Sequence, residues 1–114
     1  AIRRGTRLLV LDYDESVAGY VTFGRSRWAG LPYEGEIFEL YLAPEFVGVG
    51  FGRRLFEAAR RDLAGLGLGA TVVWALSGNE RAVGFYRHMG GRLAGASQER
   101  FGGEFRERVA FGFH

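Results

Sequence analysis

Between Ile37 and Leu42 the chain is apolar at Ile37, Phe38, Leu40, Tyr41 and Leu42, a run that predicts a strand buried on both faces. Pro44 ends it, because proline has no N–H to give to a ladder. The period then changes. Leu55, Ala58, Ala59, Leu63 and Leu66 fall on one face of a helix, and Arg53, Arg54, Glu57, Arg60 and Arg61 on the other. Glu57 precedes Arg61 by four residues, the favourable order for a helix pair. Upstream, the spacing predicts strands over Arg7–Asp12 and Val17–Phe23, joined by a turn at Asp12–Glu15. Gly24–Glu34 reads as a polar loop carrying Trp28, Pro32 and Tyr33, long enough to reach over a neighbouring surface. Downstream, Gly65, Gly67 and Gly69 separate the helix from a strand over Ala70–Leu76. A short helix comes next over Glu80–Met89, with Asn79 placed as its N-cap, and Gly90-Gly91 stops it. Arg92–Ser97 and Phe105–Phe113 close the chain as a hairpin around Phe101-Gly102-Gly103. The expected architecture is a single α+β domain with a mixed sheet.

The join between the apolar run and the amphipathic helix is the glycine-rich turn Gly48-Val49-Gly50-Phe51-Gly52. Strand, glycine turn and helix start make an anion-binding device: the backbone curls until several N–H groups converge, and the helix N-terminus adds partial positive charge. A Walker loop is excluded, since all 15 basic residues are arginine and its lysine is missing. A dinucleotide fingerprint is disfavoured by the strict alternation of the glycines. The next strand, moreover, leads into Ser77-Gly78-Asn79 rather than ending in an acidic residue.

Composition narrows the chemistry further. With 114 residues, 47% of them apolar, there is enough material for one real core. No cysteine is present, which excludes a disulfide framework, a thiolate metal site and a cysteine nucleophile. His88 and His114 are too few and too far apart to suggest a metal site. A net charge of +2 without a basic block gives little support to nucleic-acid binding. No apolar run approaches the roughly 18 residues of a membrane span, and a cytoplasmic location is the default expectation.

Two motifs together resemble the GNAT (Gcn5-related N-acetyltransferase) family. Val47-Gly48-Val49-Gly50-Phe51-Gly52 is similar to its motif A, usually Arg/Gln-x-x-Gly-x-Gly/Ala, with valine at the first position. Asn79-Glu80-Arg81-Ala82-Val83-Gly84-Phe85-Tyr86-Arg87-His88-Met89-Gly90 is similar to its motif B, Asn-x-x-Ala-x-x-Phe-Tyr-x-x-x-Gly, with Trp74 and Leu76 in the lead-in. Gly91 stands where the family often has phenylalanine, which is expected to loosen the following strand. The resemblance implies a mixed, largely antiparallel sheet flanked by helices. It also implies that the usual first strand and two helices of the fold are lacking. The apolar strand Leu8–Leu11 would then lie near an uncovered edge, so that either Ala1 is not the natural start or another chain, as in a homodimer, supplies cover.

By resemblance, the anion is the pyrophosphate of acetyl-CoA, held by the N–H groups of Val47, Gly48, Val49, Gly50, Phe51 and Gly52 with Arg53 nearby. Pantetheine would bond like a strand to the backbone at Leu40, Leu42 and Ala43, and Asn79 would cap its helix, contact the pantetheine, or both. Tyr86 would protonate the departing thiolate, although its stripe with Ala82, Val83, Phe85 and Met89 equally fits a core tyrosine. Attack needs a neutral amine and hence a carboxylate, Glu36 by a slight preference or Glu39. In a regular strand these two point to opposite faces, unless a bulge intervenes. With no cysteine, transfer would be direct, in a ternary complex with a small-molecule or peptide amine. Glu34, Glu36 and Glu39 with Trp28, Tyr33 and Phe101 would suit an ammonium-bearing acceptor, which the family holds near Gln98–Glu104. The alternative is a non-catalytic module that binds an acyl-CoA or a partner.

Overall fold

In the computed structural model, which describes residues 5–28 and 30–114, six strands make one sheet. They are β1 (Arg7–Tyr13), β2 (Ser16–Arg25), β3 (Gly35–Leu42), β4 (Thr71–Leu76), β5 (Arg92–Phe101) and β6 (Glu104–Phe113). The helices are α1 (Phe51–Gly65) and α2 (Glu80–His88), with a single 3-10 turn at Pro44–Phe46. Strand order is β1-β2-β3-β4-β6-β5. The only parallel neighbours among these are β3 and β4, joined by the crossover through α1. This is the mixed, largely antiparallel sheet that the resemblance implies. The N-terminal residue Ala1 lies outside the described residues.

One face of the sheet is the core. Val21 and Phe23 of β2, Ile37 of β3, Val73 of β4 and Phe111 and Phe113 of β6 bury themselves there. They pack against Leu55, Phe56, Ala59 and Leu63 of α1 and Tyr86 of α2. Leu55, Ala59 and Leu63 of the stripe read from the sequence are buried, whereas Leu66 lies past the end of α1 and is 46% exposed, and the buried face takes in Phe56, which the stripe did not include. Phe56 ties the two helices and the far strand together, its ring 6.1 Å from Phe85, 6.2 Å from Tyr86 and 4.8 Å from Phe113.

The opposite face is covered unevenly. Arg27, Trp28 and Tyr33 of the loop before β3 lie across it, as the length of that loop suggested. Arg27 reaches Glu36, Trp28 stacks on Trp74 with centroids 4.6 Å apart, and Tyr33 lies 5.2 Å from the His114 ring. Among the described residues nothing comparable covers β1 and the second half of β3, although Thr22 and Gly24 on the same face of β2 are buried. Leu8 is 46% exposed, Val10 48% and Tyr41 47%. The expectation that β3 is buried on both faces therefore holds only for Gly35–Ile37. Beyond Phe38, whose ring lies under Arg27, only the helix side is packed, through Leu40 and Leu42. In the edge strand β1, Leu9 and Leu11 pack on the core while Leu8 and Val10 face outward.

Gly91 does not loosen β5. A Cβ there would lie 2.7 Å from Cζ of Phe113 and 2.8 Å from the Tyr86 carbonyl oxygen, so a larger residue has no room. β6 crowds that corner with its own aromatic rings, and β5 stays paired with β6 from Arg92 to Phe101 with one bulge between Leu93 and Gly95.

Candidate functional site

β3 and β4 are paired at only three positions, Gly35–Thr71, Glu36–Val72 and Ile37–Val73. Both strands continue, β3 to Leu42 and β4 to Leu76, but they no longer touch as a ladder. A wedge opens at their carboxyl ends, the position where open sheets with parallel strands bind ligands. The backbone on its β3 side can be oriented from one bond. Ala43 N donates to Ala18 O at 2.8 Å, so Ala43 faces β2. Antiparallel alternation then turns the N–H and C=O groups of Leu42 and Leu40 away from β2 and into the wedge. Ala43 differs from Leu40 and Leu42: its N–H is engaged with β2 and its carbonyl already accepts from Phe46 N at 2.9 Å, so only the second lone pair of that carbonyl is left for a ligand.

At the same end lies the glycine turn. Val47 N is bonded to Pro44 O at 3.3 Å, whereas the N–H groups from Gly48 to Arg53 find no backbone acceptor among the described residues. Gly48 has φ 87° and Gly50, the N-cap of α1, φ 88°, left-handed conformations that glycine adopts without strain. The turn thus presents a run of unpaired donors at a helix start. Across the mouth, Asn79 Oδ1 accepts from Ala82 N at 3.2 Å, which caps α2. A pocket of about 430 Å³ lies beside it, lined by Leu76, Ser77, Gly78, Asn79, Arg106 and Glu107.

A bulge at Phe38 decides the placement of the two carboxylates. Glu39 pairs with Thr22 and Ile37 with Phe23, leaving Phe38 as the extra residue. Glu36 is opposite Gly24 and Glu39 opposite Thr22, two positions apart on β2, so both side chains lie on the face away from the helices. Their surroundings differ. Glu36 is 1% exposed and receives Arg27 Nη2 at 2.7 Å, Arg27 N at 3.1 Å and Arg27 Nε at 3.4 Å. That hydrogen bonding holds the Arg27 guanidinium above its ordinary range, and the guanidinium also stacks 4.7 Å from the Phe38 ring centre. Glu39 is exposed at the edge of the wedge, with one long contact from Thr22 Oγ1 at 3.4 Å.

Tyr86 sits in the core on α2, its ring 5.4 Å from Phe85 and 6.2 Å from both Phe56 and Phe111. Burial pushes its hydroxyl up to about 12. Of the other residues suggested for an ammonium acceptor, Trp28 shares the outer face with Glu39, stacked on Trp74, and Glu34 is exposed in the loop before β3. Tyr33 lies beside His114, with its hydroxyl 3.4 Å from His114 Nε2, Glu36 is occupied by Arg27, and the side chain of Phe101 lies outside the described residues.

Sequence reasoning missed a cluster on the same outer face. Arg108 of β6 lies 5.2 Å from the Trp28 ring and 5.0 Å from the Trp74 ring, and its Nε is 2.7 Å from Glu99 Oε2. The polar side of β6, with Arg106 and Arg108 two apart, was a visible signal. Its partners come from a loop and from β4 and β5, and no spacing rule joins those.

The model of the "Acetyltransferase (GNAT) family" matches residues 1–90. The chain belongs to the GNAT family. Mycothiol acetyltransferase of Pseudarthrobacter chlorophenolicus is 34% identical over 84 residues, covering 73% of this chain and 26% of that protein. The chain therefore spans about a quarter of the curated relative it matches. Two solved structures show the same GNAT fold. A putative streptothricin acetyltransferase of Bacillus anthracis, in complex with acetyl coenzyme A, superposes with a TM-score of 0.84 at 13% identity, covering 96% of this chain and 62% of that one. Ribosomal-protein-alanine N-acetyltransferase from Brucella melitensis gives 0.80 at 19% identity, covering 96% and 69%. Among the described residues of this GNAT chain no helix is long and apolar enough to cross a membrane.

Proposed function

We propose that this GNAT domain is an acetyl-CoA-dependent N-acetyltransferase that moves an acetyl group to a primary amine by direct attack. The observation that carries the reading is the wedge left where β3 and β4 part after Ile37–Val73, with unpaired donors from Gly48 to Arg53 at the same end. The residues fit the co-substrate. Leu40 and Leu42 offer strand-like backbone groups to an amide-bearing pantetheine, and the turn offers N–H groups to a pyrophosphate. Acetyl-CoA supplies the activated acetyl group; the chain supplies binding and proton handling. Val47 leaves the pyrophosphate without a charged side chain at that position. One charged hydrogen bond is worth roughly 1.5–3 kcal/mol, so affinity is reduced by about 10- to 100-fold and is carried by the backbone.

Glu39 takes the proton of the attacking amine, directly or through one water, because its carboxylate is exposed and lightly bonded. Glu36 acts on structure instead, anchoring Arg27 and with it the loop that carries Trp28. Tyr86 remains protonated across the working range. Its hydroxyl, pushed up to about 12, lies about 3.5 units above an ordinary thiol, so complete proton transfer to a thiolate is uphill by roughly 5 kcal/mol. Its part is a hydrogen bond to the leaving sulfur.

Calorimetric titration with acetyl-CoA, using NAD as control, tests the reading. Saturable binding that NAD does not reproduce is expected, followed by thiol release when amines are added. The second reading, a non-catalytic acyl-CoA-binding or partner-binding module, is favoured by the Glu36–Arg27 pair and the burial of Tyr86. Binding without thiol release across polyamines, amino acids, aminoglycosides and peptides would establish it.

A further inference from the structure

The cluster of Trp28, Trp74 and Arg108 has donors and too few acceptors. Trp28 Nε1 and Trp74 Nε1 are both buried without a hydrogen-bond partner. Arg108 Nε lies 2.7 Å from Glu99 Oε2, yet its N–H is not aligned on that oxygen and makes no hydrogen bond. Buried donors are nearly always paired in folded proteins, because an unpaired one has given up its bond to water for nothing. These three atoms are closed off from the surface, so what the cluster offers outward is the exposed part of the Arg108 guanidinium, whose charge inside the protein is met by Glu99 alone. The Arg108 side chain is 19% exposed, so it can be reached. Two indole faces hold its guanidinium plane by cation–π contact, which fixes the fork for bidentate recognition of a planar anion.

The cluster lies on the outer face of the sheet, beside the wedge. Trp74 directly follows Val73, the last β4 residue paired with β3, and shares the outer face with Glu39. Arg108 pairs across the ladder with Leu76, which lines the pocket beside Asn79. We infer that Arg108, set against Trp28 and Trp74, binds a carboxylate on the acceptor, so that the acceptor class is amines bearing a carboxylate, as in free amino acids. This rests on the acetyltransferase reading for the identity of the reaction, but the anion site itself does not.

The chain has two tryptophans, both in this cluster, so their fluorescence reports the site without turnover. N-acetylglycine, N-acetylleucine and N-acetylphenylalanine are titrated against the corresponding amides. Saturable quenching by the carboxylates, at least tenfold tighter than by the amides, is expected. Arg108→Gln should erase that preference, while Glu99→Gln, which frees Arg108 from its internal carboxylate, should tighten carboxylate binding several-fold. A gain in Glu99→Gln is not an outcome that misfolding can mimic. Turnover should follow the same order, with amino acids preferred to their amides in kcat/KM. Equal response to carboxylates and amides, or no response to either, overturns the inference. Acetyl-CoA binding by calorimetry on the same protein separates the two readings. If it is retained without carboxylate preference, only the subsite fails; if it is lost while the preference stands, only the acetyltransferase reading fails.

Discussion

Glu36 and Glu39 are separated by the bulge at Phe38, and their replacements should separate in consequence. Glu36→Gln leaves Arg27 without its anion in a site where the carboxylate was 1% exposed. Breaking a buried pair costs about 3–5 kcal/mol, but Arg27 is 42% exposed and can recover water, so a loss of roughly 1–3 kcal/mol is expected. A urea midpoint measures it. Glu39→Gln should stay within about 0.5 kcal/mol of the parent in the same titration while lowering kcat by about 10²–10⁴. Full activity in Glu39→Gln would return the base to Glu36. Tyr86 gives a pH signature. Its folded value of about 12 exceeds the ordinary 10, so the folded state holds a proton that the unfolded state has released between these values. Stability is therefore unaffected by this group below pH 10 and falls by about 3 kcal/mol between pH 10 and 12. Tyr86→Phe should remove that fall and, if the enzyme reading holds, lower the rate while keeping acetyl-CoA affinity. The residue types of the site were legible in the chain. The bulge that brings two carboxylates to one face was not, because it is fixed by the register of β2 against β3.

At the scale of elements, the order of strands and helices follows the apolar periods closely, and the starts and stops fall where Pro44, Asn79 and Gly90-Gly91 lie. Those signals are local, so a single sequence carries them. The parting of β3 from β4 is different. It depends on where a ladder between strands separated by a whole helix gives out, and nothing in either strand marks the place. The glycine turn offers two opposed tests. Gly50→Ala puts a Cβ at φ 88°, a strain of about 1–2 kcal/mol, and should weaken acetyl-CoA binding together with stability. Val47→Arg adds a charged donor where the chain has none. Acetyl-CoA affinity by calorimetry should rise by about 10- to 100-fold; an unchanged affinity would mean that the pyrophosphate lies elsewhere.

At the scale of the whole molecule, Leu8, Val10 and Tyr41 form an outward apolar surface continuous with the open edge of β1. Such an edge invites association, and the chain is expected to elute from size-exclusion columns with concentration-dependent size. Val10→Lys, a charge on an edge strand, should shift it toward the monomer; a monomer at all concentrations would remove the argument. The sheet also has a line of weakness. Two three-stranded blades, β1-β2-β3 and β4-β6-β5, meet along three backbone rungs, with Phe56 reaching across as a rivet. Amides of Gly35, Ile37 and Val72, which point across the seam, should therefore exchange with deuterium by opening of the seam, earlier than their neighbours Glu36, Thr71 and Val73, which point into the blades. A ligand that lies in the wedge and touches both blades is a suture. It would slow that exchange and raise the melting temperature by closing a gap that the protein's own hydrogen bonds leave half sewn.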